Sequence, residues 1–359
     1  MKSPDRRLVL FLLAGMPALR CPRDARAAGG SLPKVRVQSV RRAFHNGEHN
    51  AFTDLVRYQG RLYLTFRSCP DGHGVFPTSS ILVLSSEDGQ SWQPVHRFNV
   101  PLRDVRDPHF LVFRERLFVF TGAWYCGRTA PERREMNQHL GYGAWSSDGR
   151  SWQGPRMLEG TYGHYVWRTA AYGGKAYLCG RRKREFPEIE SREESDPLTE
   201  SALLESEDGL IWRKAGLFQE KYGNETAFLF EQDGSILAVA RCGGKRPAQV
   251  CRSRPPYQQW SRTDLDRHIG GPLVARWGER YLVGGRKQLT GQPRTSLYWL
   301  ADNQLHEFAE LPSGGDNSYP GFVELSPSRA LVSYYSSHEK DASGKEITAI
   351  YLADLAIDG

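Results

Sequence analysis

The chain lacks the features that mark several common classes of protein. It has only six cysteines among 359 residues, and no Cys-x-x-Cys or His-x-x-x-His spacing supports a metal site, so we expect neither a metal nor another cofactor. Beyond the first 27 residues, no apolar run approaches the roughly 20 residues that a membrane-spanning helix needs. Helix-period patterns are nearly absent as well, which leaves β-strands to bury the apolar residues.

Neither sign of charge dominates. The 48 basic and 41 acidic residues give a net charge of +7, but six of the basic and two of the acidic residues fall in the first 27. The rest carries 42 basic and 39 acidic residues, a net charge of +3. Such a mild excess, without a recognisable nucleic-acid-binding motif, argues against DNA or RNA as a partner.

The first 27 residues have the layout of a secretion signal. Three basic residues, Lys2, Arg6 and Arg7, precede an apolar run at 8–19, and the small-x-small sequence Ala25-Arg26-Ala27 follows. We therefore predict a signal peptide at 1–27 and a single domain at 28–359. The expected location is the periplasm or the extracellular space, with no membrane attachment after cleavage.

One seven-residue pattern, Ser-x-Asp-Gly-x-x-Trp, occurs three times at a spacing of 60 residues. The copies, called the Asp-box segments below, are Ser86–Trp92, Ser146–Trp152 and Ser206–Trp212. Asp-Gly predicts a hairpin turn, because the carboxylate accepts a local backbone N–H and glycine adopts a positive φ. The pattern resembles the Asp box of the sialidase superfamily, which implies a β-propeller whose boxes are structural and lie away from the active face.

A second repeat counts the blades. Short runs rich in β-branched and aromatic residues, each preceded by a turn, occur six times, at 61–67, 116–122, 175–181, 235–241, 280–286 and 329–335. Repeats of about 40 to 60 residues that hold several strands are typical of propeller blades. The sequence therefore predicts an all-β fold, a six-bladed β-propeller of four-stranded antiparallel blades. Either the last strand, at 347–355, or an early strand, at 34–41, should close the ring.

In a propeller, the residues that open each innermost strand form a ring around one axial pocket, and we expect the binding site there. The candidates that open these strands are His49, Asn50, Asp54, Asp107, His109, Arg168, Glu225 and Tyr319. The candidates elsewhere on the blades are Arg67, Arg181, Arg241, Arg286, Arg294, Tyr335 and His338. Their guanidinium groups suit an anionic ligand.

The sialidase resemblance implies roles for some of these residues. Glu225 and Tyr319 occupy the positions of the family's nucleophilic pair, in which a glutamate base activates a tyrosine. A phenol can attack a carbon that bears a carboxylate, where an anionic nucleophile would be repelled. Arg241 matches one arginine of the carboxylate-binding triad, and Arg286 or Arg294 another. The acid/base position falls near Asp71, with His73 beside it as a competing donor.

Blade one departs from the family pattern, since Ala51-Phe52-Thr53 stands where sialidases have Arg-Ile-Pro. We consider three functions. The first is a sialidase-like exo-glycosidase acting on a terminal, anionic sugar of a glycan. The others are a polysaccharide lyase that uses histidine and tyrosine on a uronate, and a carbohydrate-binding propeller without catalysis. We also consider a disulfide between Cys242 and Cys251, on neighbouring predicted strands.

Overall fold

The computed structural model describes residues 32–129, 135–189, 191–244, 246–288 and 292–358. The predicted signal peptide at 1–27 lies outside the described residues. Among those residues, no helix is both long enough and apolar enough to cross a membrane.

Within the described residues, six four-stranded antiparallel sheets form a six-bladed β-propeller, as predicted. In this part of the chain, helix is confined to α1 at Arg192–Ser195 and single 3-10 turns at Met136–Gln138 and Asp196–Leu198. Strands are numbered in chain order, and each blade is given from the axis outward. Blade one comprises β2 (His49–Tyr58), β3 (Arg61–Cys69), β4 (Ser80–Ser86) and β5 (Gln93–Phe98). Blade two comprises β6 (Arg103–Phe113), β7 (Arg116–Tyr125), β8 (Leu140–Ser146) and β9 (Trp152–Met157). Blade three comprises β10 (Tyr165–Tyr172), β11 (Lys175–Lys183), β12 (Thr199–Ser206) and β13 (Arg213–Gln219).

The second half of the chain repeats this order and then closes the ring. Blade four comprises β14 (Gly223–Phe230), β15 (Ile236–Cys242), β16 (Gln249–Ser253) and β17 (Trp260–Asp264). Blade five comprises β18 (Ile269–Trp277), β19 (Arg280–Lys287), β20 (Arg294–Ala301) and β21 (Gln304–Glu310). Blade six comprises β22 (Asn317–Ser326), β23 (Arg329–Lys340), β24 (Glu346–Ile357) and, outermost, β1 (Val35–Phe44). The N-terminal strand therefore closes the ring, which decides between the two predicted modes of closure.

Apolar layers between adjacent blades hold the propeller together. Between blades one and two, Tyr63 and Val83 belong to the same buried cluster as Leu117 and Val119. The inner strands are accordingly buried along nearly their whole length, while the outermost strands are half exposed. This explains why the inner strands read as continuous apolar runs and the outer ones do not.

The Asp-box segments form turns between the third and fourth strands of blades one to three. In the first, the Asp88 carboxylate accepts hydrogen bonds from the backbone N–H groups of Gln90 and Ser91 at 2.8 and 2.9 Å. The Trp92 indole donates to the Gly89 carbonyl at 3.2 Å. In blade four, the Trp260 indole donates to Tyr257 in the same way at 2.9 Å, although the aspartate is missing there.

Every innermost strand contains a β-bulge at the same place. In each blade the register shifts so that two residues face one residue of the second strand, which locally re-aims the side chains. The bulge pairs are Phe52-Thr53, Asp107-Pro108, Trp167-Arg168, Asn224-Glu225, Gly271-Pro272 and Tyr319-Pro320. These six bulges surround the axis and carry the candidate site.

The suggested disulfide between Cys242 and Cys251 is wrong. The register of β15 and β16 places Cys251 opposite Ala238, whereas Cys242 lies four residues further along β15. Both thiols are free in the structure, as are the other cysteines of the described residues. Burial raises the pKa of Cys242 to about 11 and that of Cys251 to about 12. Neighbouring strands alone do not bring two cysteines into a bridging position.

Candidate functional site

A tyrosine and a glutamate from blades six and four meet at the axis. The Tyr319 hydroxyl donates a hydrogen bond to Glu225 Oε1 at 2.8 Å, and both side chains are buried. The other carboxylate oxygen accepts from Arg241 Nη1 at 2.9 Å and from the backbone N–H of Gly271 at 3.2 Å. The structure thus brings three of the candidate residues, separated by up to 94 positions, into one cluster.

The charge state of this pair follows from its neighbours. Burial alone would raise the pKa of Glu225, but the guanidinium groups of Arg241 and Arg181 lower that pKa to about 2. Burial raises the pKa of Tyr319 well above its usual value, and the charges of Glu225 and Asp107 raise it further. At neutral pH the pair is therefore a phenol held against a carboxylate, which is the arrangement in which glutamate can accept the phenolic proton.

Aromatic rings enclose the Tyr319 side chain. Phe52 and Trp167, from the bulges of blades one and three, lie at centroid distances of 5.0 and 6.2 Å from it, and Tyr335 lies at 6.0 Å. The Arg286 guanidinium lies over the Tyr319 ring, 5.8 Å from its centroid. These contacts limit the motion of the phenol and restrict access of water to it.

Asp316, which sequence reasoning missed, lies on the side of the pocket formed by blade six. Its Oδ1 accepts a hydrogen bond from the Tyr335 hydroxyl at 2.9 Å and lies 3.4 Å from Arg286 Nη1. Its Oδ2 lies 2.6 Å from His73 Nδ1 and 3.3 Å from His49 Nε2. Burial opposes ionisation of Asp316, but contacts with His49 and His73 lower its pKa below the usual range.

Arg67 acts as an anchor for the loop that carries His73. The Arg67 side chain is fully buried and pairs with Asp104 Oδ1 at 2.7 Å. It also donates to the carbonyls of Gly72 and Gly74 at 3.0 and 2.8 Å. Arg106 donates to the His73 carbonyl at 3.1 Å. These bonds fix the loop, so that His73, about half exposed, stands at the mouth of the pocket.

A second tyrosine and carboxylate pair comes from blades three and two. The Tyr165 hydroxyl donates to Asp107 Oδ2, and the Arg181 guanidinium lies over the Tyr165 ring, 5.1 Å from its centroid. Arg181 Nη1 also donates to Asn224 Oδ1. Burial, together with the charge of Glu225, raises the pKa of Asp107 to about 6.

Three predicted residues form a buried polar cluster that joins blades one, two and three. Arg168 Nη1 pairs with Asp54 Oδ1 at 2.9 Å, and His109 Nδ1 lies 3.5 Å from Asp54 Oδ2. Burial and the neighbouring Arg168 lower the pKa of His109 to about 4. The His109 ring packs edge-on against Trp167 at 5.0 Å. This cluster supports the bulge residues from behind.

Four other candidates are engaged elsewhere. Asn50 donates to Asn46 at 3.0 Å, and Asp71 accepts from Thr78 on an exposed loop. Arg294 donates to the Ser313 carbonyl at the start of β20. His338 hydrogen-bonds Ser336 at 2.9 Å and packs on Tyr351. The structure therefore brings His73, rather than Asp71, to Asp316.

Some of the site residues that the sequence analysis missed could have been recognised from the sequence. Tyr165, Trp167 and Arg106 belong to the strand openings identified from the sequence, but ordinary core packing explains a tyrosine or tryptophan there equally well. Asp316 directly precedes β22 and could be found only by extending that opening by one residue. Phe52 belongs to the segment Ala51-Phe52-Thr53 already noted in blade one and lies in the bulge of that blade.

The fold is a six-bladed propeller of the kind that sialidases adopt. No family model and no curated protein matches the sequence. Among solved structures, a protein of unknown function from Dyadobacter fermentans DSM 18053 is 21% identical, with a TM-score of 0.75, over 91% of this chain and 100% of that one.

Two sialidases are similar at lower identity. Trypanosoma rangeli sialidase in complex with the inhibitor DANA is 14% identical, with a TM-score of 0.62, over 86% of this chain. The endosialidase of phage phi92 is 10% identical, with a TM-score of 0.66, over 89% of this chain. The match spans 55% of the trypanosomal protein and 69% of the phage protein. At these identities the likeness establishes the fold, and the activity has to be argued from the site.

Proposed function

We propose that the protein is a glycoside hydrolase of the sialidase type, which removes a terminal anionic sugar from a glycan. The observation that carries this proposal is the buried hydrogen bond of 2.8 Å between Tyr319 and Glu225. Glu225 is ionised and lies beside Arg241, so that it can take the phenolic proton as Tyr319 attacks. We expect the protein to act after export, in the periplasm or outside the cell.

The reaction has two displacements. In the first, Tyr319 Oη forms a bond to the anomeric carbon, its proton passes to Glu225, and the bond to the leaving oxygen breaks. His73 at the pocket mouth protonates that oxygen, and Asp316 orients the imidazole. In the second, His73 takes a proton from water, which attacks the same carbon, and Glu225 returns its proton to the departing Tyr319. The overall result is hydrolysis with retention of configuration.

Two arginines suit a carboxylate on the reacting sugar. Arg241 and Arg286 flank Tyr319 from adjacent blades, and about a fifth of each side chain is exposed to solvent. Because Ala51 stands in the place of the triad's first arginine, the carboxylate would be held by two guanidinium groups, with the neighbouring Phe52 as an aromatic wall. We expect weaker binding of sialic acid than a complete triad provides, since a bidentate clamp contributes both charge and geometry.

Tyr319→Phe tests the proposal directly. This variant removes the nucleophilic oxygen and leaves the ring packing, so turnover of aryl glycosides of sugar acids should fall by at least about 1000-fold. Tyr351→Phe is the matched control, because it removes a buried hydroxyl from the outer layer of blade six, and it should keep full activity.

Product analysis separates the competing functions. Hydrolysis yields a new reducing end without ultraviolet absorbance. A lyase acting on a uronate would leave an unsaturated, absorbing ring, and a binding protein would yield no product. Full activity of Tyr319→Phe, or an absorbing product from the wild-type protein, would rule out the proposed mechanism.

A further inference from the structure

We propose that His49, His73 and Asp316 form a binding site for a divalent transition-metal ion of the zinc class at the mouth of the axial pocket. The inference concerns metal binding and does not depend on hydrolysis. The three residues come from the start of β2, the loop after β3 and the segment before β22. Because these segments are not contiguous in the chain, no short sequence motif identifies the site.

The three ligand atoms converge. His49 Nε2 and His73 Nδ1 both face Asp316 Oδ2, at 3.3 and 2.6 Å. One ligand atom from each residue lies within 4.8 Å of the other two, a spacing that a single ion with bonds of about 2.0 to 2.2 Å can bridge after small side-chain rotations.

The ligand atoms are incompletely satisfied within the described residues. Neither ring nitrogen of His49 has a well-directed hydrogen bond there, although both are buried, and Asp316 Oδ2 lies close to His73 Nδ1 without a well-directed hydrogen bond. Buried polar atoms are normally satisfied, and an ion or water commonly explains those that are not. An ion coordinated by His49 and Asp316 would satisfy two of these three atoms.

The surroundings position the ligands in advance. Tyr335 and Arg286 hold Asp316 Oδ1, which leaves Oδ2 directed at the two imidazoles. Such supporting contacts orient metal ligands and tune their affinity. Arg67 and Arg106 fix the loop that carries His73 through the carbonyls described above.

The donor set selects the kind of ion. Two imidazoles with one carboxylate suit Zn²⁺, Co²⁺ or Ni²⁺, whereas Ca²⁺ and Mg²⁺ prefer oxygen ligands. His73 is about half exposed and His49 about a tenth, so that the cluster opens to solvent on one side. An ion there could enter from the pocket mouth and retain a water or substrate ligand.

The test is metal binding by the metal-free full chain. After treatment with a chelator, Zn²⁺ is titrated in competition with a chromogenic chelator, and Co²⁺ binding is followed by its visible absorption. We expect one equivalent to bind, and His49→Ala, His73→Ala and Asp316→Asn each to weaken binding by at least about tenfold. His338→Ala, a histidine paired with Ser336 on blade six, should bind as the wild type does.

The outcomes distinguish this proposal from the proposed hydrolysis. Tyr319→Phe should bind Zn²⁺ like the wild-type protein even though it lacks turnover. Zn²⁺ should also inhibit the wild-type hydrolase, because the ion replaces the proton on His73 Nδ1, so that the imidazole can no longer act as the imidazolium acid that Asp316 orients. Absence of a bound equivalent in the folded wild-type protein would overturn the metal site, as would unchanged affinity in the two alanine variants and Asp316→Asn.

Discussion

At the residue scale, the axial pocket pairs most of its buried charges directly. Glu225 faces Arg241, Asp316 faces Arg286, and Asp104 lies between Arg67 and Arg106. Asp107 differs, because its nearest polar partner is the neutral hydroxyl of Tyr165. A buried carboxylate without a directly paired cation ionises reluctantly.

This difference predicts a pH-dependent contribution to stability. The pKa of Asp107 rises from 3.8 to about 6 in the folded protein. Below pH 4 the group is protonated in both folded and unfolded chains, and above pH 6 the folded chain has to ionise it at a disadvantage. Two pKa units correspond to about 3 kcal/mol of stability, lost as the pH rises from 4 to 6. Asp107→Asn, which never ionises, should gain stability relative to the wild type over that interval.

Thermal unfolding at pH 4 and pH 7 measures this effect. The Tm of Asp107→Asn relative to the wild-type Tm should increase by several degrees between the two pH values. Asp302→Asn, at an exposed turn between β20 and β21, should show no such increase. Parallel pH profiles for Asp107→Asn and the wild-type protein would contradict the raised pKa.

At the scale of the element, the bulge repeated in the innermost strands explains how these strands bring the site residues together at the axis. Phe52, Asp107 and Tyr319 all have positive φ angles, of 63°, 51° and 53°. A left-handed backbone at a residue with a side chain costs about 1 to 2 kcal/mol. The regular strand pairing on both sides of each bulge holds the backbone in this conformation. The side chains that the bulge redirects meet at the axis.

The Asp-box turns require a glycine, both for its backbone angle and for the space beside it. Gly149 has a φ of +70°, and a Cβ atom there would lie 1.8 Å from the Tyr63 hydroxyl. Gly149→Ala should therefore destabilise the protein through both the backbone angle and a clash with a buried ring, by about 2 to 4 kcal/mol. Gly278, with φ of +57° and no atom within 4 Å of an added Cβ, is the matched control.

Denaturant unfolding of the two variants separates these causes. Gly278→Ala should lose only the backbone contribution, about 1 kcal/mol. Both variants should retain the activity or ligand binding of the wild type, because Gly149 lies in a turn between outer strands and Gly278 follows the end of β18 that is remote from its bulge. Equal destabilisation of the two would show that the contact with Tyr63 contributes nothing.

The sequence predicted the fold better than the details of the site. The Asp-Gly turns and the apolar runs depend on local chemistry, so the six blades could be counted from them. The contact between Tyr319 and Glu225 was predicted through the family resemblance. Asp316, the partner of His73, was missed, because the proximity of these two residues depends on how blades one and six meet. The predicted disulfide was wrong for a related reason, since the bounds of two strands do not show which residues lie opposite each other.

At the scale of the whole molecule, closure of the ring depends on β1. This strand pairs with β24 from Val35 opposite Ile357 to Phe44 opposite Ile350. Arg41, on β1, pairs with Asp354 and donates to the Gly89 carbonyl of blade one, so it links the last blade to the first. Pro33, just before the strand, accepts a hydrogen bond from the Trp299 indole of blade five at 3.0 Å. The N-terminal segment thus contacts three blades.

Removing this strand should open the propeller. A chain beginning at residue 45 would expose the edge of β24, whose unpaired backbone groups and apolar side chains can pair with another molecule. We expect this chain to aggregate or to unfold at a clearly lower temperature, as measured by light scattering and thermal unfolding. A chain beginning at residue 32 keeps β1 and should match the full-length protein in both measurements.

A peptide of residues 32–44 added to the chain that begins at residue 45 should recover part of the lost stability, since it restores the missing strand pairing with β24. If the chain beginning at residue 45 stays monomeric with an unchanged Tm, the other blade contacts suffice to hold the ring, and β1 is dispensable.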